Sequence, residues 1–338
     1  MILVTGATGL VGTHLLIKLL KEKHQIRATY RTATKKDYAK SIYLKCCNPE
    51  DREAFDTIEW IKTDLNDIPE LTKAFVDITH VYHCAAMISF NPSHFKKLRK
   101  TNIEGTANIV NLSLLNNVQK LCYVSSIATL SENALQNPIN ENSEWNPEIS
   151  DSVYAITKYG AEMEVWRGTQ EGLDAVIVNP GIIIGRGFYN SGSGFLFKKI
   201  HKGMPYYTNG TTGYVAVEDV IEIMYRLTNS AIKNQRYVVV AENLSFKNAF
   251  TLIAKALQKS IPKKKVSPLT MKIAYYIQEF SHFLFRTKKI LFKSSIKSAF
   301  TNSFYENDKI KKELSYDFLP IENAIETTAS FFLKEEKV

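Results

Sequence analysis

The chain has 338 residues, about twice the length of a typical single domain, and its 45% hydrophobic and 23% charged residues are ordinary globular values. A peptide, a fibre and large-scale disorder are excluded. The formal charge of +9 is uneven: Lys255 to Tyr316 hold fourteen Lys/Arg against four Asp/Glu, so the basic character belongs to one C-terminal region.

The opening MILVTG lacks the basic start and long apolar core of a signal peptide, and no run of about 18 uncharged apolar residues could span a bilayer, so a cytoplasmic protein is expected. Residues 1 to 5 read as a strand, Gly6, Gly9 and Gly12 as a tight turn, and HLLIKLLKEKH as a helix. A second strand is expected at 25 to 31, then a charged loop from about 32 to 56, then a third strand at 58 to 64. Further apolar strands follow at 80 to 86, 120 to 126 and 173 to 180, separated by helical stretches around 67 to 77, 94 to 116 and 152 to 171. This alternation predicts an α/β fold, a Rossmann-type doubly wound parallel sheet over residues 1–180, with 213–241 returning to it. Residues 181–212 and 242–338 are expected to form a smaller, mostly helical substrate domain. Cys46, Cys47, Cys84 and Cys122 fit neither a disulfide framework nor a CxxC knuckle and read as reduced thiols. His80, His83 and Cys84 sit in a buried strand and its exit turn, and no metal is expected.

TGATGLVG, Thr5 to Gly12, places its glycines directly after a strand and at the opening of a helix, which is the context of a dinucleotide site. The first glycine allows the sharp turn, the second lets a pyrophosphate approach the backbone, and the third permits close helix packing. At the end of the second strand, where an acidic residue would bind both ribose hydroxyls of NAD, stand Tyr30 and Arg31 with Lys35 and Lys36 nearby. A guanidinium there suits the 2′-phosphate of NADP, so NADP is preferred to NAD. Asp64 is placed to accept from an adenine amino group or simply to cap the strand end.

Tyr154 and Lys158 lie four apart on an expected helix, so they share a face, and a nearby ammonium should lower the phenol pKa from its ordinary value of about 10. Ser125 and Ser126 end the fifth strand, where a hydroxyl can hydrogen-bond a substrate carbonyl. On these residues the chain resembles an extended short-chain dehydrogenase/reductase of the NAD-dependent epimerase/dehydratase superfamily. TGATGLVG, Asp64-Leu65, HCAA at 83 to 86, TNIEGT at 101 to 106, VSSIAT, YAITK and NPGIIIG follow in family order. The Arg-ended second strand, VSSIA and LSYDFLPIENAI look most like the dihydroflavonol reductase and 3β-hydroxysteroid dehydrogenase branch.

The resemblance implies Tyr154 as acid/base, Lys158 as its modulator and ribose ligand, Ser126 as the hydroxyl that polarises the substrate carbonyl, and Asn102 as a group positioning the lysine through a water. It implies a cofactor lined by Gly6, Thr8, Gly9, Leu10, Val11, Gly12, Arg31, Asp64, Leu65, Cys84, Ala85, Ala86, Ser125, Tyr154, Lys158, Pro180, Gly181 and Ile183. Ile127 stands where sugar epimerases carry a third serine. The expected function is an NADP-dependent oxidoreductase acting on a ketone, aldehyde or secondary alcohol; the alternatives are an NAD-dependent nucleotide-sugar epimerase or dehydratase and a nonenzymatic NADP-binding regulator.

Met87, Ser89, Phe90, Phe188, Tyr189 and Phe195 to Phe197 are candidates to line a small, apolar or ring-bearing substrate, although phenylalanines in a glycine-rich loop also serve as local core. LTMKIAYYIQEFSHFLFRTKKILF, 269 to 292, reads as an amphipathic helix pair that caps the substrate or, given its basic surroundings, makes weak peripheral contact with a membrane. Members of such a family often pair as homodimers through helices flanking the sheet, here the 94 to 116 and 152 to 171 segments, while others are monomers, and the sequence leaves the oligomeric state open. No helix-turn-helix, zinc or aromatic-basic pattern points to nucleic acid.

Overall fold

Each short apolar run in the first half of the chain becomes a parallel strand, because every run is followed by a helix long enough to carry the chain back over the sheet. The computed structural model describes residues 1–131, 138–148, 152–287 and 289–336; Lys288 of the basic region lies outside them. The elements run β1 (Ile2–Thr5), α1 (Leu10–Lys21), β2 (Ile26–Tyr30), α2 (Ala33–Cys46), β3 (Glu59–Lys62), α3 (Ile68–Ala74), β4 (His80–His83), α4 (Phe95–Leu98), α5 (Gly105–Leu115), β5 (Lys120–Val124), α6 (Val153–Gln170) and β6 (Ala175–Pro180). They continue with β7 (Ile182–Ile184), α7 (Gly194–His201), β8 (Tyr206–Tyr207), β9 (Thr211–Ala216), α8 (Val217–Thr228), β10 (Gln235–Val239), β11 (Glu242–Ser245), α9 (Phe246–Ala256) and β12 (Lys264–Lys265). Helices α10 (Pro268–Phe285), α11 (Lys293–Ser298), α12 (Asp308–Leu314) and α13 (Ile321–Glu335) follow.

Seven strands form one parallel sheet in the order β10-β6-β5-β4-β1-β2-β3, a Rossmann-type fold followed by a helical C-terminal region. The order reverses between β1 and β4, which opens a crevice at their carboxyl ends. Strand residues alternate between two cores: Val4, Tyr82, Cys122 and Val176 pack on one face against α1 and α8, while Leu3, Val81, Tyr123 and Ile177 pack on the other against α5 and α6. A second, three-stranded sheet, β11-β9-β7, packs on α7, α9 and α13 through Tyr214, Phe197, Ile253 and Phe332.

Two differences from the sequence reading have local causes. The charged stretch 32 to 56 is not a loop: it holds α2 and a 3-10 segment, Pro49–Thr57. Only Ala39, Ile42 and Tyr43 of α2 are buried, too few to print an apolar periodicity on the sequence. Of the stretch 213–241, read as returning to the large sheet, Gly213–Ala216 lies in β9 and pairs instead with β7 and β11, and the return begins with α8 and β10.

Candidate active site

The glycine turn is built by close contact. Gly6 has φ +67°, and a Cβ there would stand 2.6 Å from the backbone of Ala85. A Cβ on Gly12 would stand 2.2 Å from the Gly6 carbonyl. Gly9 is the N-cap of α1, with no side-chain cap and no acidic residue in the first turn, so the helix N–H groups stay open to an anion. Thr8, Leu10 and Val11 are partly exposed around that opening. The residues present therefore fit a dinucleotide pyrophosphate: a cradle that any Cβ would fill, at the positive end of a helix, in the crevice where the strand order reverses.

The floor of the turn is a chain of hydroxyls and an imidazole. His83 is buried, its Nδ1 2.7 Å from Thr5 Oγ1 and its Nε2 2.9 Å from Thr106 Oγ1. Burial, aided by Lys158, lowers its pKa to about 3, so the ring is neutral and links β1, β4 and α5 without charge. The Ala85 N–H donates to Thr5 Oγ1 at 3.4 Å. Cys84 precedes it, its thiol pushed up by burial; Ala86 follows in the same exit loop. Beyond the ends of β2 and β3, Arg31 and Asp64 are both about half exposed, 3.9 Å apart. Leu65 is buried against Gly105, and its carbonyl accepts from Asn108 Nδ2 at 2.9 Å. Pro180 ends β6, the Gly181 N–H donates to the Val239 carbonyl at 3.1 Å, and Ile183 lies in β7.

Ser126, Tyr154 and Lys158 come together at the carboxyl end of β5. Ser126 caps a short 3-10 turn, its Oγ accepting from the Ala128 N–H at 3.1 Å. Burial raises the Tyr154 phenol above its ordinary pKa, and a hydrogen bond with Ser126 opposes the rise. That direction is the reverse of the one expected from Lys158. The lysine is buried, and its ammonium donates instead to Tyr123 Oη at 2.6 Å and to the Val124 carbonyl at 2.7 Å, lying 4.3 Å from the Tyr123 ring centroid. Burial lowers its pKa to about 7 against the opposing pull of Glu162 and Cys84.

Asn102 sits in a π-helical segment, Arg99–Glu104, between α4 and α5. Its Oδ1 accepts from the Met87 N–H at 2.7 Å, and its Nδ2 donates to the Met87 carbonyl and to Thr157 Oγ1. It thus ties the loop after β4 to α6, next to Lys158 in sequence. Ser125 points elsewhere: its hydroxyl donates to Glu162 Oε2 at 2.6 Å. Glu162 is fully buried and also accepts from Thr129, Asn179, Trp166 and Arg236. Tyr123 and Glu162 are not among the residues expected from the sequence, although Glu162 lies four residues after Lys158 and so on the same helical face. Of the substrate-lining candidates, Phe90 reaches the site, its ring 5.6 Å from that of Tyr154, whereas Tyr189 and Phe197 are core residues.

A family model described as NAD dependent epimerase/dehydratase family matches residues 2–241. The chain belongs to that family. A Synechocystis sp. protein provisionally named dihydroflavonol 4-reductase is 24% identical over 336 residues, 97% of this chain and 93% of its own length. Cinnamoyl-CoA reductase 2 of Medicago truncatula is 26% identical over 75% of each chain. Among solved structures, gox2253 aligns with TM-score 0.80 at 24% identity over 100% of this chain and 99% of its own. UDP-glucose 4-epimerase from Thermotoga maritima, solved with UDP-glucose, aligns at TM-score 0.77 and 18% identity over 99% of both chains. At these identities the structural matches establish the fold of this family member. Membership makes it an NAD(P)-type enzyme fold, and among its described residues no helix is long and apolar enough to cross a membrane.

Proposed function

We propose that the protein is an NADP-dependent oxidoreductase that reduces a ketone or aldehyde, or oxidises the matching secondary alcohol, on a small apolar or ring-bearing molecule. The observation that carries this is the Tyr154 phenol with the Ser126 hydroxyl as its neighbour and the exposed ring of Phe90 at 5.6 Å, with Lys158 buried one helical turn on. Bound NADPH would supply the hydride, held by the Gly6–Gly12 turn, with Arg31 at a 2′-phosphate. The chain's own groups supply the proton and the polarisation. Tyr154 keeps its proton at neutral pH, so its phenol is an acid available to a substrate oxygen, and the Ser126 hydroxyl donates to the same oxygen as charge develops there. Negative charge left on Tyr154 favours the protonated form of Lys158, whose pKa near neutrality lets it respond. Phe90 offers an apolar wall, and relatives named as reductases support this chemistry over epimerisation.

Titration of the apo-protein with NADPH and NADH, repeated on Arg31→Ala, tests the cofactor assignment. The variant should lose about 10- to 100-fold in NADPH affinity, the worth of one or two charge-assisted hydrogen bonds, with NADH unchanged. Tight NADH binding, or NAD retained through purification, would point to epimerase or dehydratase chemistry instead. Tyr154→Phe should lower turnover on any accepted carbonyl substrate by at least about 100-fold while NADPH affinity stays within about twofold; near-normal turnover would remove Tyr154 from the reaction.

A further inference from the structure

Helix α10 presents an apolar stripe to water, and its polar contacts are with the segment that follows it. Leu269, Ile273, Tyr276, Ile277, Phe280 and Phe283 recur at three- and four-residue spacing and so share one stripe. Each is more than half exposed, Phe283 by 82%, and no residue of the helix is buried. The contacts of the helix are with the segment that follows it, from Gln278 opposite the stripe and Glu279 on its flank. Gln278 accepts from the N–H groups of Ile290 and Leu291 and donates to the Leu291 carbonyl, and Glu279 pairs with Lys289 at 2.5 Å. A helix of a water-soluble protein normally turns its stripe inward, so a stripe this long facing outward marks a surface that meets something apolar.

The charges around the stripe say what that is. Exposed Lys263, Lys264 and Lys265 precede the helix, Lys272 lies on it, and Arg286 and Lys293 follow, with Glu279 as the helix's single acid. β12 carries Lys264 and Lys265 beside β8, where Tyr206 is also half exposed, so basic and aromatic groups continue around the start of the stripe. Two copies of this chain meeting here would bring two strongly basic regions together. An anionic lipid surface instead takes both components at once, the stripe into acyl chains and the lysines against headgroups. The helix of 18 residues is about 27 Å long and, with Gln278 and Glu279 bonded to the segment after it on the side away from the stripe, lies along a bilayer rather than across it. We propose that α10 docks the protein peripherally on an anionic membrane surface, independently of the reaction catalysed.

The test is vesicle flotation of the full chain with phosphatidylcholine alone and with equimolar phosphatidylcholine and phosphatidylserine, at low and high salt. The protein should float with the phosphatidylserine vesicles, less so in high salt. The double variant Phe280→Ser/Phe283→Ser should lower partitioning at least about tenfold, and Lys263→Gln/Lys264→Gln/Lys265→Gln should lower it by about as much, mainly at low salt. Because all five side chains are exposed, both variants should keep the wild-type melting profile by circular dichroism. Absence of flotation on either lipid, or flotation indifferent to both variants, would overturn the proposal. So would a dimer by light scattering that Phe280→Ser/Phe283→Ser dissociates, since a second copy would then own the stripe.

Discussion

Replacing Lys158 by Met removes a buried ammonium, and the consequence is readable in the pH dependence of stability. Burial lowers the Lys158 pKa from 10.5 to about 7 in the folded apo-protein. In the unfolded chain the group returns to its ordinary value, so between about pH 7 and 10.5 the unfolded state binds more protons than the folded state. Stability must then rise with pH across that window, and the gain is lost as pH falls through 7. Each pKa unit is worth about 1.4 kcal/mol, so moving from pH 7 to pH 9 should add roughly 2 kcal/mol to the unfolding free energy through this group alone. Urea denaturation of wild type and Lys158→Met at both pH values measures it, the difference between the two proteins cancelling other titrating groups. The variant should show a flatter profile by roughly 2 kcal/mol. Parallel profiles, differing by less than about 0.5 kcal/mol, would mean that Lys158 reaches solvent or a counter-charge in solution and so stays protonated whatever the charge on Tyr154.

The glycine turn separates packing from binding. Gly12→Ala drives a Cβ to 2.2 Å from the Gly6 carbonyl and should cost about 1–3 kcal/mol of stability as well as NADPH affinity. Gly9→Ala meets its nearest atom at 3.4 Å, so it should fold with near wild-type stability and lose only affinity; paired denaturation and titration distinguish the two, and equal stability losses would contradict the geometry. Glu162→Ala strips one acceptor from Ser125, Thr129, Asn179 and Trp166 and leaves Arg236 facing an empty site, so a loss of about 3–5 kcal/mol is expected by urea denaturation. A loss below about 1 kcal/mol would show that water replaces the carboxylate.

Much of the candidate site's local geometry was legible because its signals are local. A strand, three glycines and a helix must form the turn wherever they occur, and Tyr154 and Lys158 must share a helical face. The wall of the site was not. Phe90, Tyr189 and Phe197 look alike in the sequence, and only the packing of α7, α13 and the small sheet buries the last two while leaving Phe90 at Tyr154. Ser125 and Ser126 are adjacent and chemically identical; the extended backbone sends one hydroxyl into Glu162 and leaves the other capping the Ala128 N–H beyond the end of β5.

The sequence by itself determined the parallel sheet, the glycine cradle and the set of polar groups at the carboxyl ends of the strands, because each depends on periodicity or steric demands within a few residues. Tertiary structure decided the electrostatics. Lys158 donates to Tyr123 and Val124 rather than standing exposed beside the phenol, since its surroundings are closed by β4, β5 and α6 from distant parts of the chain. It also decided which face of α10 meets water: periodicity marks the stripe, but only the hydrogen bonds of Gln278 to the segment after the helix turn that stripe outward.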